Sequence, residues 1–139
     1  MPPRLDCIIF CDDIRLESGN KVTLVGIYGS TLFIPADAKF PAALRQFCVF
    51  LRWRGIKGGE KIYFDVSYNG DELIKPGNPL ELKASRDDQE EYSQTSLFLS
   101  AMIFKGFGEY KFRIFLQHHP EPFGEAVLRV LPQPQAVPV

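Results

Sequence analysis

The chain has 139 residues, of which 45% are hydrophobic and 24% are charged, and its formal net charge is −1. These values exclude an intrinsically disordered protein, which would contain too little apolar surface to form a core. They also count against a nucleic-acid-binding protein, which usually carries a clear excess of basic residues. No apolar run approaches the ~18 residues that a membrane-spanning helix requires.

The N-terminal residues and the three cysteines indicate the cellular compartment of the protein. Residues 1–4 do not have the layout of a signal peptide. Cys7 and Cys11 would lie about 13 Å apart on one strand, which is too far for a disulfide. Their spacing, without a second pair, is no zinc motif. We therefore expect a cytoplasmic protein whose cysteines are buried free thiols, with no metal site and no cofactor.

Most of the chain alternates apolar and polar residues, as a strand does when successive side chains point to opposite faces. Tyr110, Phe112 and Ile114, for example, share one face, while Lys111 and Arg113 share the other. The predicted strands, in chain order, lie near residues 6–14, 21–34, 46–54, 61–68, 72–75 joined to 80–84, 95–105, 108–117 and 124–131.

Turn residues separate these strands. The segment Glu17-Ser18-Gly19-Asn20 predicts a hairpin between the first two strands. The second predicted strand is unusually long and contains Gly26 and Gly29. A bulge or bend at these glycines would let this strand serve two sheets.

About eight short strands predict a single all-β domain over residues 1–131, folded as an antiparallel β-sandwich of the immunoglobulin-like or C2-like kind. A closed barrel is the alternative. A helix is predicted only at Ala36–Arg45, where Pro35 and Pro41 limit it to one or two turns. The Pro-rich residues 132–139 are predicted to form an extended, mobile tail.

Two adjacent carboxylates, Asp12 and Asp13, follow the apolar part of the first strand. By alternation, one of them points to the same face as Cys11. A partly buried carboxylate needs a partner, which Arg15, Lys21 or backbone amides would provide. Structural pairing or turn capping is the simplest interpretation, and a binding role is the alternative.

The segment CDDIRLESGNKVTLVGIY, residues 11–28, resembles the opening of an uncharacterised family of small bacterial and phage-associated proteins. These proteins begin with a similar C-D-D-I-R-x-E-x-x-N-K segment followed by L-x-G-I-Y, and the resemblance is strong over residues 6–35. It implies a β-sandwich and a bacterial origin, but no activity. It also marks a candidate binding segment with the polar residues Asp12, Asp13, Arg15, Glu17, Asn20 and Lys21.

A second candidate surface comes from aromatic and basic residues. If the alternation holds, Phe50, Arg52 and Arg54 share the outward face of one strand, and Arg with aromatic residues is a combination that protein interfaces favour. Several phenylalanines are left over once one face of each strand is assigned to the core, and together they would mark a contact surface. These are Phe10, Phe50, Phe98, Phe104 and Phe115, and the candidate interface is Phe50, Arg52, Arg54 and Phe115.

These observations predict a non-enzymatic interaction module in the bacterial cytoplasm that binds a protein partner or associates with itself. No nucleic acid, membrane or small-molecule partner is expected. Two alternatives stay open. One is a carboxylate-based hydrolase or metal-dependent enzyme that uses Asp12 and Asp13 with His118 or His119. The other is a calcium-dependent, membrane-binding C2-like domain that uses acidic loops such as residues 87–91.

Overall fold

The computed structural model of the protein describes residues 3–19, 21–55, 60–74, 80–81 and 92–134. Within these residues there is no helix long and apolar enough to cross a bilayer. The described residues form ten strands: β1 (Arg4–Glu17), β2 (Lys21–Tyr28), β3 (Thr31–Ile34), β4 (Ala42–Arg54), β5 (Lys61–Tyr68), β6 (Asp71–Ile74), β7 (Leu80–Glu81), β8 (Tyr92–Phe104), β9 (Gly108–Leu116) and β10 (Gly124–Pro132).

The strands build two sheets that pack face to face. The four-stranded sheet has the order β2-β1-β4-β8, and the six-stranded sheet has the order β3-β10-β9-β5-β6, with β7 also paired to β5. Among the described strands neither sheet closes into a barrel, so the predicted β-sandwich is confirmed. One pairing departs from the antiparallel prediction, because β3 runs parallel to β10.

The predicted strand 21–34 is two strands, and the expected bend between them is confirmed. Gly29 and Ser30 separate β2, in the four-stranded sheet, from β3, in the six-stranded sheet. The predicted hairpin between β1 and β2 is also confirmed, with Glu17 opposite Lys21. Gly19 adopts a φ of +77° in that hairpin, which is the left-handed conformation that short hairpin loops need.

The main core lies between the two sheets. The ring of Phe112, from the six-stranded sheet, lies 4.8 Å from that of Phe10 and 6.0 Å from that of Phe47, both from the four-stranded sheet. The prediction that Phe10 and Phe104 point outward is wrong, since both lie in this core. Phe10 faces inward from β1, and β8 changes face after Leu99, which also packs against the core.

The helix predicted at residues 36–45 does not form. Its first residues make a turn in which the Ala38 amide donates to the Pro35 carbonyl at 3.0 Å. Its last residues, from Ala42, begin β4 and pair with β8. A short helix between two prolines leaves most of its backbone groups unpaired, whereas the sheet gives them partners.

The C-terminal strand runs past the predicted domain end at residue 131. Pro132 lies opposite Ile34, and the Gln133 amide donates to the Ile34 carbonyl at 2.8 Å. The first two residues of the predicted mobile tail are therefore held against β3. Residues 135–139 of that tail lie outside the described residues.

Candidate functional site

Asp12 lies on β1, is exposed, and has its partner on the neighbouring strand. Its carboxylate accepts a hydrogen bond from the hydroxyl of Tyr28 on β2. Burial and this hydrogen bond raise the pKa of Tyr28 above its usual range, so the phenol stays protonated and continues to donate. Gly26 faces the same carboxylate with a φ of +67°, and a Cβ at Gly26 would collide with it.

Asp13 is also satisfied locally. One carboxylate oxygen accepts hydrogen bonds from the Ile14 amide at 2.9 Å and from Nε2 of Gln46 at 2.7 Å. The other oxygen lies 3.8 Å from Nε of Arg15. The predicted partner Arg15 is thus present, but the closer partner Gln46, on β4, was not predicted. Both aspartates therefore fit the structural interpretation.

The remaining residues of the candidate binding segment belong to the hairpin. Arg15, Glu17 and Lys21 are exposed. The Thr23 hydroxyl donates to the Glu17 carboxylate at 3.3 Å, and Glu17 lies opposite Lys21. Asn20 lies outside the described residues. The contacts of this segment hold the hairpin in register.

The two histidines are not brought to Asp12 and Asp13. His119 packs edge-on against Phe123 at 5.1 Å, and the next residue, Gly124, lies against Leu5 near the start of β1. Leu5 and Asp12 are seven residues apart, or about 23 Å along a strand. Within the described residues no three His, Cys, Asp or Glu side chains come together as metal ligands. The acidic residues 87–91, proposed for calcium, lie outside the described residues.

The four residues of the candidate interface do not form one surface. Phe50 lies on the outer face of the four-stranded sheet and is only 5% exposed. Arg54, four residues further along β4, donates from Nε to Asp6 at 2.9 Å, and Arg52 is half-buried. Phe115 belongs to β9 in the other sheet, where it is 8% exposed. The two phenylalanines therefore face opposite sides of the sandwich.

Phe50 belongs to a second, smaller apolar cluster, which includes two cysteines. Cys11 and Cys48 lie directly opposite each other on β1 and β4, and both are fully buried. Ile14 completes the buried part of this cluster. Burial, together with the neighbouring Cys48 and aspartates, raises the pKa of Cys11 to about 11. The predicted free, buried thiols are found at both positions, but the prediction is wrong for Cys7, which is free and only half-buried.

The six-stranded sheet carries a groove on its outer face, with a volume of about 610 Å³. Its floor comes from the outward residues of β5 and β9, and its sides come from β6, β10 and the turn between β9 and β10. The charged lining residues are Asp65, Glu72, Lys111, Arg113, Glu121 and Glu125.

Asp65 and Arg113 form the floor of this groove. They lie opposite each other on β5 and β9, and Nε of Arg113 donates to Oδ1 of Asp65 at 2.8 Å while Nη2 donates to Oδ2. Asp65 is 4% exposed, and it is the one charged residue among the described residues that is buried. The hydrogen bond to Asp65 raises the pKa of Arg113. Such a bidentate pair fixes the guanidinium in one orientation.

An aromatic pair supports the same guanidinium from the side. The ring of Phe115 lies 5.3 Å from the Arg113 guanidinium carbon, within the range of a cation–π contact. Phe115 in turn stacks on Tyr63, with ring centroids 5.2 Å apart and planes 10° apart. Phe115, predicted as an interface residue, therefore acts here by holding Arg113 in place.

The rim of the groove is acidic. Glu72, Glu121 and Glu125 are exposed, and Glu72 and Glu125 act electrostatically on Arg113. Four carboxylates line the groove against the two cations Lys111 and Arg113, which leaves an excess of two negative charges. Because Asp65 neutralises Arg113, the excess charge is on the rim.

This groove was not predicted from the sequence, although one signal for it was visible. Asp65 interrupts an apolar strand on the outward face, and Arg113 holds the equivalent outward position in another strand. Alternation places each residue on an outer face, but it does not indicate that β5 and β9 are neighbours. Only the strand order brings the two residues together.

A family model described as a family of unknown function (DUF6941) matches residues 6–130. The chain belongs to the DUF6941 family. The match runs from β1 to β10 and leaves out only the outer ends of these two strands, and the expected membership of an uncharacterised family is confirmed. No curated protein matches the chain.

Proposed function

We propose that this DUF6941 protein is a non-enzymatic binding module that holds a basic segment of a protein partner in the groove of its six-stranded sheet. The observation that carries the proposal is the division of charge within the groove. Asp65 and Arg113 neutralise each other on the floor, and the three carboxylates of Glu72, Glu121 and Glu125 on the exposed rim outnumber the one remaining cation, Lys111. A partner's lysine or arginine would meet these carboxylates.

Preorganisation supports a binding role for the floor. Arg113 is held by two hydrogen bonds to Asp65 and by the ring of Phe115, yet 41% of its side chain is exposed. A rigid arginine loses little conformational entropy on contact, which is one reason why arginine is common among the dominant residues of protein interfaces. The volume of about 610 Å³ accommodates a few side chains of an extended segment.

We place this module in the bacterial cytoplasm. The bacterial origin rests on the resemblance of the segment at residues 11–28. The reducing compartment is supported by the cysteines, since Cys7, Cys11 and Cys48 are free, and oxidising compartments favour disulfides.

Binding of two fluorescent peptides, octalysine and octaglutamate, tests the proposal by anisotropy. We expect octalysine to bind, octaglutamate not to bind, and the affinity for octalysine to fall as salt is added. The double variant Glu121→Gln/Glu125→Gln should weaken octalysine binding by about 10-fold, because each exposed charge contributes up to about 1 kcal/mol.

The matched control is Glu17→Gln/Asp37→Asn, which changes the net charge by the same amount at exposed positions away from the groove. It should leave octalysine binding within about twofold of the wild type. Equal weakening by the two double variants would mean that the whole surface attracts the peptide and that the groove is not the binding site. Absence of octalysine binding at low salt would also refute the proposal.

A further inference from the structure

The edges of the two sheets differ sharply in how well they are protected against pairing with another chain. Exposed edges offer unpaired backbone groups, and proteins normally protect them with short strands, charges, prolines or distortions. The edge strands β3 and β6 have four residues each, and β6 begins with Asp71 and Glu72. Edge strand β2 starts at Lys21 and is distorted at Gly26, where φ is +67°.

Strand β8 changes face after Leu99, but it lacks the other protections. It spans the 13 residues Tyr92–Phe104 and contains no charged residue and no proline. Among the described strands only β4 pairs with it, so its other side is an edge of the described four-stranded sheet. Two large apolar side chains on it are exposed, Phe98 at 54% and Ile103 at 50%. A long, apolar edge of this kind is suited to pairing with another strand.

The sequence of β8 indicates which strand would pair with it. Residues 96–100 read Ser-Leu-Phe-Leu-Ser, which is the same in both directions about Phe98. Phe98 is also the middle residue of Tyr92–Phe104. If two copies pair antiparallel about a two-fold axis at Phe98, serine meets serine, leucine meets leucine and phenylalanine meets phenylalanine. Aromatic and aliphatic pairs of this kind are the contacts that stabilise neighbouring strands.

We propose that β8 is a dimerisation strand, which pairs antiparallel with β8 of a second copy of this chain about a two-fold axis at Phe98. The pairing joins the two four-stranded sheets into one continuous sheet of eight strands. The interface is isologous, as in most homodimers. A net charge of −1 per chain produces little repulsion between copies. The strand lies on the other sheet from the groove, so this inference does not rest on the proposed function.

Sedimentation equilibrium between about 1 µM and 100 µM, where dimers of micromolar affinity dissociate, tests the proposal. The wild type should reach twice the 15.8 kDa of the chain. Phe98→Lys should raise the dimer dissociation constant by about 100-fold or more, since it removes a central aromatic pair from both copies. Because Phe98 is half-exposed, this substitution should leave the monomer folded, which circular dichroism checks.

The matched control is Phe33→Lys, at a phenylalanine with 51% exposure on edge strand β3 of the other sheet. It should leave the dimer intact. A wild type that stays monomeric over the whole range overturns the proposal. So does a dimer that survives Phe98→Lys or that is lost in Phe33→Lys.

Cross-linking tests the register independently. In the proposed dimer the two copies of residue 98 face each other with Cα atoms about 4.5–5.5 Å apart, within disulfide range. The Phe98→Cys variant should therefore form a covalent dimer under copper–phenanthroline oxidation, while the wild type with its native cysteines should not. In Ile103→Cys the two thiols would lie about 33 Å apart along the strands. Cross-linking of this second variant instead of the first overturns the register.

Discussion

Breaking the pair between Asp65 and Arg113 should destabilise the protein, and the size of the effect can be worked out from the contacts. The Arg113→Met substitution keeps a side chain of similar length but removes both hydrogen bonds to Asp65. The Asp65 carboxylate, 4% exposed, is then left without its cation. Breaking a fully buried pair costs about 3–5 kcal/mol. Here 41% of the Arg113 side chain is exposed, so water reaches the vacated place and reduces the expected loss to about 2–3 kcal/mol.

The reverse substitution should cost less. In Asp65→Leu the Arg113 guanidinium loses its partner but can turn towards water, so we expect a loss of about 1 kcal/mol. The double variant Asp65→Leu/Arg113→Met should lie within about 1 kcal/mol of the wild type, because apolar replacements of both members of an ion pair are often neutral. The two single effects should therefore fail to add, with a coupling energy of about 2–4 kcal/mol.

Urea unfolding followed by the fluorescence of Trp53 measures these values, because Trp53 is the one tryptophan of the chain and is fully buried. The corresponding fall in melting temperature for Arg113→Met is roughly 6–12 °C for a chain of this size. If the two single effects add in the double variant, or if Arg113→Met is neutral, the pair is not the fixed floor that the groove proposal requires.

Three further predictions concern other parts of the sandwich. Gly26→Ala should lower the free energy of unfolding by about 1–3 kcal/mol, because it combines a φ of +67° with a collision at Asp12, whereas Gly29→Ala, which meets no atom, should be nearly neutral in the same urea assay. Burial alone would raise the pKa of Asp6, but hydrogen bonds from Arg4 and Arg54 lower it overall. The Asp6 carboxylate therefore adds stability above its unfolded pKa of about 4, and this stability is lost as the pH falls through the lower folded pKa. Urea midpoints below pH 4 should fall less steeply in Asp6→Asn, and an unchanged slope would contradict this assignment. In alkylation by iodoacetamide at pH 8, followed by mass spectrometry, half-buried Cys7 should react first. Cys11, buried and with a pKa of about 11, and buried Cys48 should react only in urea, and native labelling of either at the rate of Cys7 would refute their burial.

The strand pattern was predictable because alternation depends only on local sequence. The predicted β9, with Tyr110, Phe112 and Ile114 inward, is found as expected. Local signals also located the β1–β2 hairpin and the bend after β2. The helix at residues 36–45 was predicted from the same kind of local evidence and is wrong, because pairing with β8 gives this segment more hydrogen bonds than an isolated short helix could make.

The candidate sites were less predictable, because they depend on which strands are neighbours. Phe50 and Phe115 were grouped by residue type, but they lie on different sheets. Asp12 and Asp13 were recognised as carboxylates that need partners, and the tertiary structure supplied Tyr28 and Gln46. Gln46 is 33 residues away from Asp13 along the chain, so no local pattern could indicate it.

The sequence by itself determined that the chain is a β-sandwich, where its first hairpin lies and that its composition is nearly neutral in charge. Period-two alternation and turn residues are local properties, and they act before any long-range contact forms. Only the tertiary structure decided which outward residues meet. It placed Asp65 against Arg113, Cys11 against Cys48, and β8 at an edge. Strand order decides these contacts, and it is set when the apolar inner faces of the two sheets pack into one core. The phenylalanines that had no assigned place show the same division: Phe10 and Phe104 lie in the core, Phe50 and Phe115 are covered on opposite faces, and Phe98 is left in solvent.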